Sequence, residues 1–112
     1  MRADELKGHL DGLLLAALEA GPRHGYAVKE ALRDDSGGRV DLPTGTIYPA
    51  LRRLEQAGLV RGTWGTAAGR ARRTYTLTAA GRRALAGRRE GWREFSTVMS
   101  ALMEGRPCPG TP

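Results

Sequence analysis

Cysteine, aromatic side chains and long apolar runs are all scarce in this chain, and each scarcity closes off a class of protein. The one cysteine, Cys108, lies between two prolines near the C-terminus and has no second cysteine to pair with. A disulfide framework and a cysteine-based metal centre are excluded with it. The longest uninterrupted apolar run is the six residues Leu13–Leu18, far short of the ~20 that a membrane-spanning helix needs. The opening Met1-Arg2-Ala3-Asp4-Glu5 has neither the basic start nor the apolar stretch of a secretory signal. Together these point to a soluble, cytoplasmic protein. Aromatic residues make up 5% of the 112 positions and apolar residues 40%. A single-domain core of this size therefore has to be built mainly from Leu, Ala, Val and Ile.

Catalytic patterns are missing as well. His9 and His24 are the only histidines. No nucleophile–base triad, HExxH pair, phosphate-binding loop or Gly-x-Gly-x-x-Gly stretch occurs, and the glycines punctuate turns instead. No enzymatic chemistry is expected, and neither a cofactor nor a metal.

What the chain has in quantity is arginine, and its placement is uneven. The net charge of +6 divides into −2 over residues 1–51, +9 over 52–93 and −1 over 94–112. The middle block holds eleven arginines against Glu55 and Glu90 alone. A GC-rich genome would account for the abundance of Arg, Ala and Gly but not for this segregation. A basic block after a mildly acidic start is the footprint of a polyanion-binding protein.

Hydrophobic spacing gives the frame. Leu6, Leu10, Leu13, Leu14, Ala17 and Leu18 recur at helical intervals, which predicts a first helix from Glu5 to about Ala20, closed by Gly21-Pro22. A second is predicted from about Gly25 to Asp34, with Tyr26, Val28, Ala31 and Leu32 inward. The third lies within Leu42–Gly58, burying Ile47, Ala50, Leu51 and Leu54, with Gly58 as a natural stop. Its start has two solutions, a cap at Thr44 or one at Thr46, the latter placing Pro49 where a missing N–H is harmless. Two short β-runs follow, Leu59–Trp64 and Arg73–Leu77, joined by the loop Gly65–Arg72. Thr78 is positioned to cap a last helix running to about Glu104.

Three helices and a hairpin with a basic tip predict a winged helix-turn-helix, mainly α with a β-hairpin wing and a long C-terminal helix. The outer face of the third helix offers Thr44, Thr46, Tyr48, Pro49, Arg52, Arg53 and Gln56 to a major groove about 12 Å wide, and the expected DNA contacts on it are Thr44, Gly45, Thr46, Tyr48, Pro49, Arg52 and Arg53. Its hydroxyls and helix-start N–H groups suit phosphates. Arg70, Arg72 and Arg73 surround the wing tip, with Arg61 on the incoming strand, and suit a minor groove or its flanking phosphates. With no acid between Glu55 and Glu90, nothing local is expected to neutralise them.

These residues resemble a known pattern in order. Leu13–Leu18 comes first, then His24-Gly25-Tyr26, then the most specific stretch, Gly45–Glu55 with Gly58-Leu59-Val60. Gly69–Gly81 covers the wing and the start of the last helix. Over residues 6–104 the chain resembles the PadR-family transcriptional regulators of bacteria, in the smaller class with one helix after the wing. The resemblance implies a dimeric, repressor-like regulator that binds an inverted-repeat operator in double-stranded DNA, with Tyr48, its neighbours and the wing arginines meeting the DNA.

The last helix argues separately for a homodimer. Leu85, Trp92 and Met99 are spaced by seven, as are Arg88, Phe95 and Leu102, a heptad-like seam with one charged member. The stripe needs a partner surface, and a second copy supplies it; Leu10, Leu14, Leu85, Trp92, Phe95, Met99 and Leu102 are the expected interface. The resemblance adds that aromatics on this helix line a cavity at the dimer interface, with Trp92 at the matching place. One helical turn from Arg88 and with Phe95 beside it, Trp92 is a candidate to stack a small planar aromatic ligand; packing of the dimer alone is the simpler role for Trp92. The expected organisation is a DNA-binding domain over 1–78, a dimerisation helix over 79–104 and a disordered tail over 105–112. The alternative function is a winged-helix module whose arginine block faces an acidic protein partner.

Overall fold

The computed structural model of the chain describes Met1 and residues 3–110. Helix α1 spans Leu10–Ala17, α2 Gly25–Asp35, α3 Thr44–Gln56 and α4 Ala79–Met103. Strands β1 (Arg23–His24), β2 (Val60–Ala67) and β3 (Arg70–Leu77) form one antiparallel sheet in the order β1-β3-β2. This is a winged helix followed by a long helix. No helix among the described residues is long and apolar enough to cross a membrane. The end of the expected tail, residues 111–112, lies outside the described residues.

The first helix is shorter than its periodicity predicts. Ala3–Leu6 is a separate 3-10 turn, because Gly8 takes a left-handed φ of +88° that interrupts an α-helix. Leu6 still reaches the core from that turn, which is why the apolar spacing read as continuous. Tyr26, expected to point inward, is 46% exposed.

Helix α3 resolves the uncertainty over its start in neither expected way. Thr44 is its first residue and Pro43 stands at the cap without a side-chain bond. Pro49 lies one turn inside an unbroken helix. It has no N–H to offer the Gly45 carbonyl, but that end of the helix faces solvent, so water can satisfy the oxygen.

The hairpin is also longer than expected. Its strands pair from Val60↔Leu77 out to Ala67↔Arg70, leaving only Ala68 (φ 53°) and Gly69 (φ 75°) to turn. Two consecutive positive φ values are the tight turn whose twist matches a hairpin. The third strand, β1, was not anticipated; two residues carry no alternation to read. It pairs Arg23 with Tyr75 and His24 with Thr74, fixing the start of α2 to the wing's return strand.

Leu14, Leu15, Leu18, Val28, Ile47, Leu51 and Leu54 fill the centre and are all but inaccessible. Val60, Tyr75 and Leu77 close it from the sheet and Leu85 from α4. Each such leucine contributes about 1.5–3 kcal/mol by leaving water. Polar ties add orientation: Arg89 of α4 donates to both carboxylate oxygens of Glu19 at 2.7 and 2.8 Å. Arg89 thereby holds the Glu19 carboxyl below its ordinary value. The tie is complete above the ordinary carboxylate pKa and is lost as pH falls through the lowered folded value.

The start of α4 is where the chain packs most closely. A Cβ added to Gly81 would lie 2.0 Å from the Leu59 carbonyl oxygen and 3.2 Å from Leu77 Cδ2. Alanine favours a helix by about 1 kcal/mol over glycine, yet here it forces backbone apart. Gly81→Ala is expected to destabilise the protein by about 1–3 kcal/mol in denaturant unfolding; equal or greater stability would contradict this packing.

Candidate nucleic-acid interface

Helix α3 turns one face to the core and the opposite one outward. Thr44, Gly45, Tyr48, Pro49 and Arg52 are exposed on that outer face, at intervals of one, three, one and three that keep them on one side of the helix. Arg52 makes no ion pair among the described residues. Thr46 and Arg53 stand apart from this group. They line a separate groove of about 630 Å³ with Leu6, Asp11, Leu42 and Arg88, and Arg53 is hydrogen-bonded to the Asp11 carboxylate of α1. Arg88 of α4 approaches the other oxygen of Asp11 at 3.5 Å and donates to the Gly8 carbonyl at 3.3 Å. One carboxylate thus holds an arginine from the third helix and one from the fourth.

The wing divides its arginines in the same way. Arg70 and Arg72 are exposed beside the Ala68-Gly69 turn, and Arg61 is exposed on β2; none of the three has an ion pair among the described residues. Arg73 does. Its guanidinium is hydrogen-bonded to Glu55 at the end of α3, and the same carboxylate oxygen accepts the Gly62 N–H at 3.2 Å. The Arg73 guanidinium also lies 5.3 Å from the ring centre of Trp64. The expectation that nothing local neutralises the wing arginines therefore fails at Arg73. Glu55 marks the beginning of the acid-free stretch, and the hairpin folds Arg73 back onto it.

Trp64, expected only as the end of the first β-run, has a role at the wing that its sequence neighbours do not signal. It is 70% exposed and stands directly across from Arg73 in the ladder, a relation visible only once the hairpin register is known. The same holds for Asp11, whose two arginine partners are 42 and 77 positions away.

On α4, the structure brings together the three residues singled out for a ligand. Arg88, Trp92 and Phe95 line a groove of about 540 Å³ with Gly8, His9, Ala84, Gly87 and Gly91. Trp92 and Phe95 are stacked with ring centres 5.9 Å apart, and His9 stands edge-on to Trp92 at 5.3 Å. His9 was not anticipated there. Of the seven residues expected at a dimer interface, Trp92, Phe95 and Leu102 are exposed, at 53%, 51% and 65%. Leu10 and Met99 are half-buried. Leu14 and Leu85 need correction. At 0% and 3% exposure they are enclosed in their own chain's core and have no surface left for a partner.

The two kinds of wing arginine make a testable contrast in the free protein. Arg73→Ala leaves a half-buried Glu55 with no cation beside it and removes the stack on Trp64, and is expected to cost about 1–2 kcal/mol of stability. Arg70→Ala and Arg72→Ala should each stay within about 0.5 kcal/mol of wild type. Equal effects in chemical unfolding would mean that the Arg73–Glu55 tie does not hold the wing.

Residues 14–87 match the model of the transcriptional regulator PadR-like family. Over 74 residues the chain is 39% identical to a transcriptional regulator of Mycobacterium tuberculosis, a match covering 66% of this chain and 56% of that protein. A PadR family transcriptional regulator from Eggerthella lenta superposes with a TM-score of 0.80 at 30% identity, over 90% of this chain and 87% of the other. A PadR-like transcriptional regulator from Bacillus cereus does so with a TM-score of 0.78 at 28% identity, over 93% of this chain and all of the other.

Proposed function

This chain belongs to the PadR-like family of transcriptional regulators, and from that premise we propose that it is a repressor binding an inverted-repeat operator in double-stranded DNA as a cytoplasmic homodimer. The observation that carries this reading is the exposure of Thr44, Gly45, Tyr48, Pro49 and Arg52 on one side of α3 and of Arg70 and Arg72 at the wing tip, with no acid among them. The α3 group suits a major groove and its phosphates, and the tip arginines the adjacent minor groove. In this reading Arg53 and Arg73 aim and brace the face through Asp11 and Glu55, and reach DNA only by leaving those partners; Thr46 borders the face from the groove side.

A second copy of the chain fits the exposed stripe Trp92, Phe95, Leu102 and Met103 on α4. A stripe of that size on a free monomer would be an unusual apolar patch. Pairing through it would relate two reading faces by a two-fold axis, the arrangement by which helix-turn-helix dimers read half-sites about 34–36 Å apart.

Affinity for a duplex that the protein selects from a random-sequence pool tests the DNA reading. That duplex should be an inverted repeat, and binding should weaken steeply with salt, by about 0.9 in logarithmic slope per neutralised phosphate. Arg52→Ala and Arg70→Ala should each weaken binding and lower the slope by about 1. Equal affinity for a scrambled duplex at every salt concentration would favour an acidic protein partner and overturn the proposal.

The groove beneath Trp92 gives the reading its control element. A flat aromatic molecule stacking on Trp92 beside Arg88 and Phe95 would sit where the second copy packs and so alter the spacing of the two faces. In a Trp64→Phe background, a planar dye at micromolar concentration should quench Trp92 fluorescence and weaken operator binding. Unchanged fluorescence together with unchanged DNA affinity would remove induction from the function.

A further inference from the structure

The first residue of α2 is a glycine that its backbone does not require. Gly25 is buried and its φ lies outside the left-handed range, so any residue could adopt its conformation, and alanine would favour the helix. What glycine supplies is room. A Cβ at this position would lie 2.2 Å from Tyr48 Cε1, 2.8 Å from Cδ1 and 3.0 Å from Cζ. The ring of Tyr48 occupies the space where every other amino acid carries its side chain.

The seat beneath that ring is held from two directions. His24, next to it, pairs with Thr74 of β3, and its Nδ1 accepts the Ala27 N–H at 3.2 Å to cap α2. The start of α2 is thereby joined to the wing's return strand, so a ring resting on Gly25 is referenced to the wing as well as to its own helix. Tyr48 keeps 38% of its surface exposed.

We propose that Gly25 is a positioning residue for DNA recognition, its missing side chain seating Tyr48 so that the phenol hydroxyl meets a backbone phosphate at a set offset from the wing arginines. This rests on the reading of Tyr48 as part of the DNA face. It differs from a packing requirement in one respect. At Gly81 an added methyl meets backbone; at Gly25 it meets the outer end of a half-exposed side chain, which can swing into solvent. The fold tolerates the change and the aim of Tyr48 does not.

The test compares wild type, Gly25→Ala, Tyr48→Ala and the double variant, each measured for thermal unfolding and for affinity to the pool-selected duplex. Gly25→Ala should melt at or above the wild-type midpoint yet bind DNA about tenfold more weakly, the loss of one hydrogen bond to a charged oxygen. Tyr48→Ala should lose a similar factor, and the double variant should be no worse than either single one, because both remove the same contact. The salt slope of Gly25→Ala should match wild type, since the hydroxyl carries no charge. Losses that multiply in the double variant, wild-type affinity in Gly25→Ala beside weakened Tyr48→Ala, or a melting midpoint that drops sharply in Gly25→Ala would each overturn the proposal. Wild-type affinity in Tyr48→Ala would instead remove Tyr48 from the DNA face, and the proposal with it.

Discussion

Where α3, the wing and α4 meet, the Leu59 carbonyl packs so closely on Gly81 that a Cβ there would lie 2.0 Å from its oxygen. Gly58 ends α3 in a left-handed turn, and the Leu59 N–H closes back onto the Leu54 carbonyl at 3.0 Å, the usual way a helix satisfies its last acceptors. The Leu59 carbonyl then accepts the Thr78 N–H at 3.2 Å. The Thr78 hydroxyl donates to the Gly58 carbonyl at 2.7 Å and accepts the Gly81 N–H at 3.0 Å. One turn thus fixes the end of the third helix, both ends of the wing and the beginning of the last helix. The third and fourth helices are thus joined through backbone and the Thr78 hydroxyl at this turn, and through the Asp11 carboxylate between Arg53 and Arg88.

Electrostatics follows from that frame. The +9 block is not one uniform surface. Arg53, Arg73, Arg88 and Arg89 are tied to Asp11, Glu55, Asp11 and Glu19 respectively, and they connect elements. Arg52, Arg61, Arg70 and Arg72 stay exposed and unpaired among the described residues, and they leave the molecule a positive face. Arg88 belongs to both stories on α4. It lines the aromatic groove with Trp92 and the charged groove with Arg53, so its side chain is shared by the site proposed for a ligand and the groove that borders the third helix.

Much of this was legible in the sequence because it depends on local spacing. The helical intervals of α2, α3 and α4, the stop at Gly58 and the hairpin before Thr78 are all properties of short windows. The failures share a different cause. The break at Gly8 was hidden because Leu6 joins the core from a 3-10 turn and preserves the apolar rhythm. Strand β1 is two residues long, and only its partner makes it a strand. Leu14 and Leu85 lie on faces that look like a seam in one dimension but are enclosed once α1 and α4 pack together. The pairing of Arg73 with Glu55 and of Arg53 with Asp11 depends on register and on chain separations that no local pattern encodes. Composition located the charge; only the fold distinguishes arginines that brace from arginines that remain free.

In the proposed reading, two copies of this face read two halves of one site. Hydroxyl-radical footprinting on the duplex that the protein selects tests it most directly. Two protected backbone segments about one helical turn apart are expected, related by a dyad, each flanked on its outer side by a shorter protected stretch where the wing tip enters the minor groove. A single protected segment without a dyad, or protection spread evenly along the duplex, would contradict it.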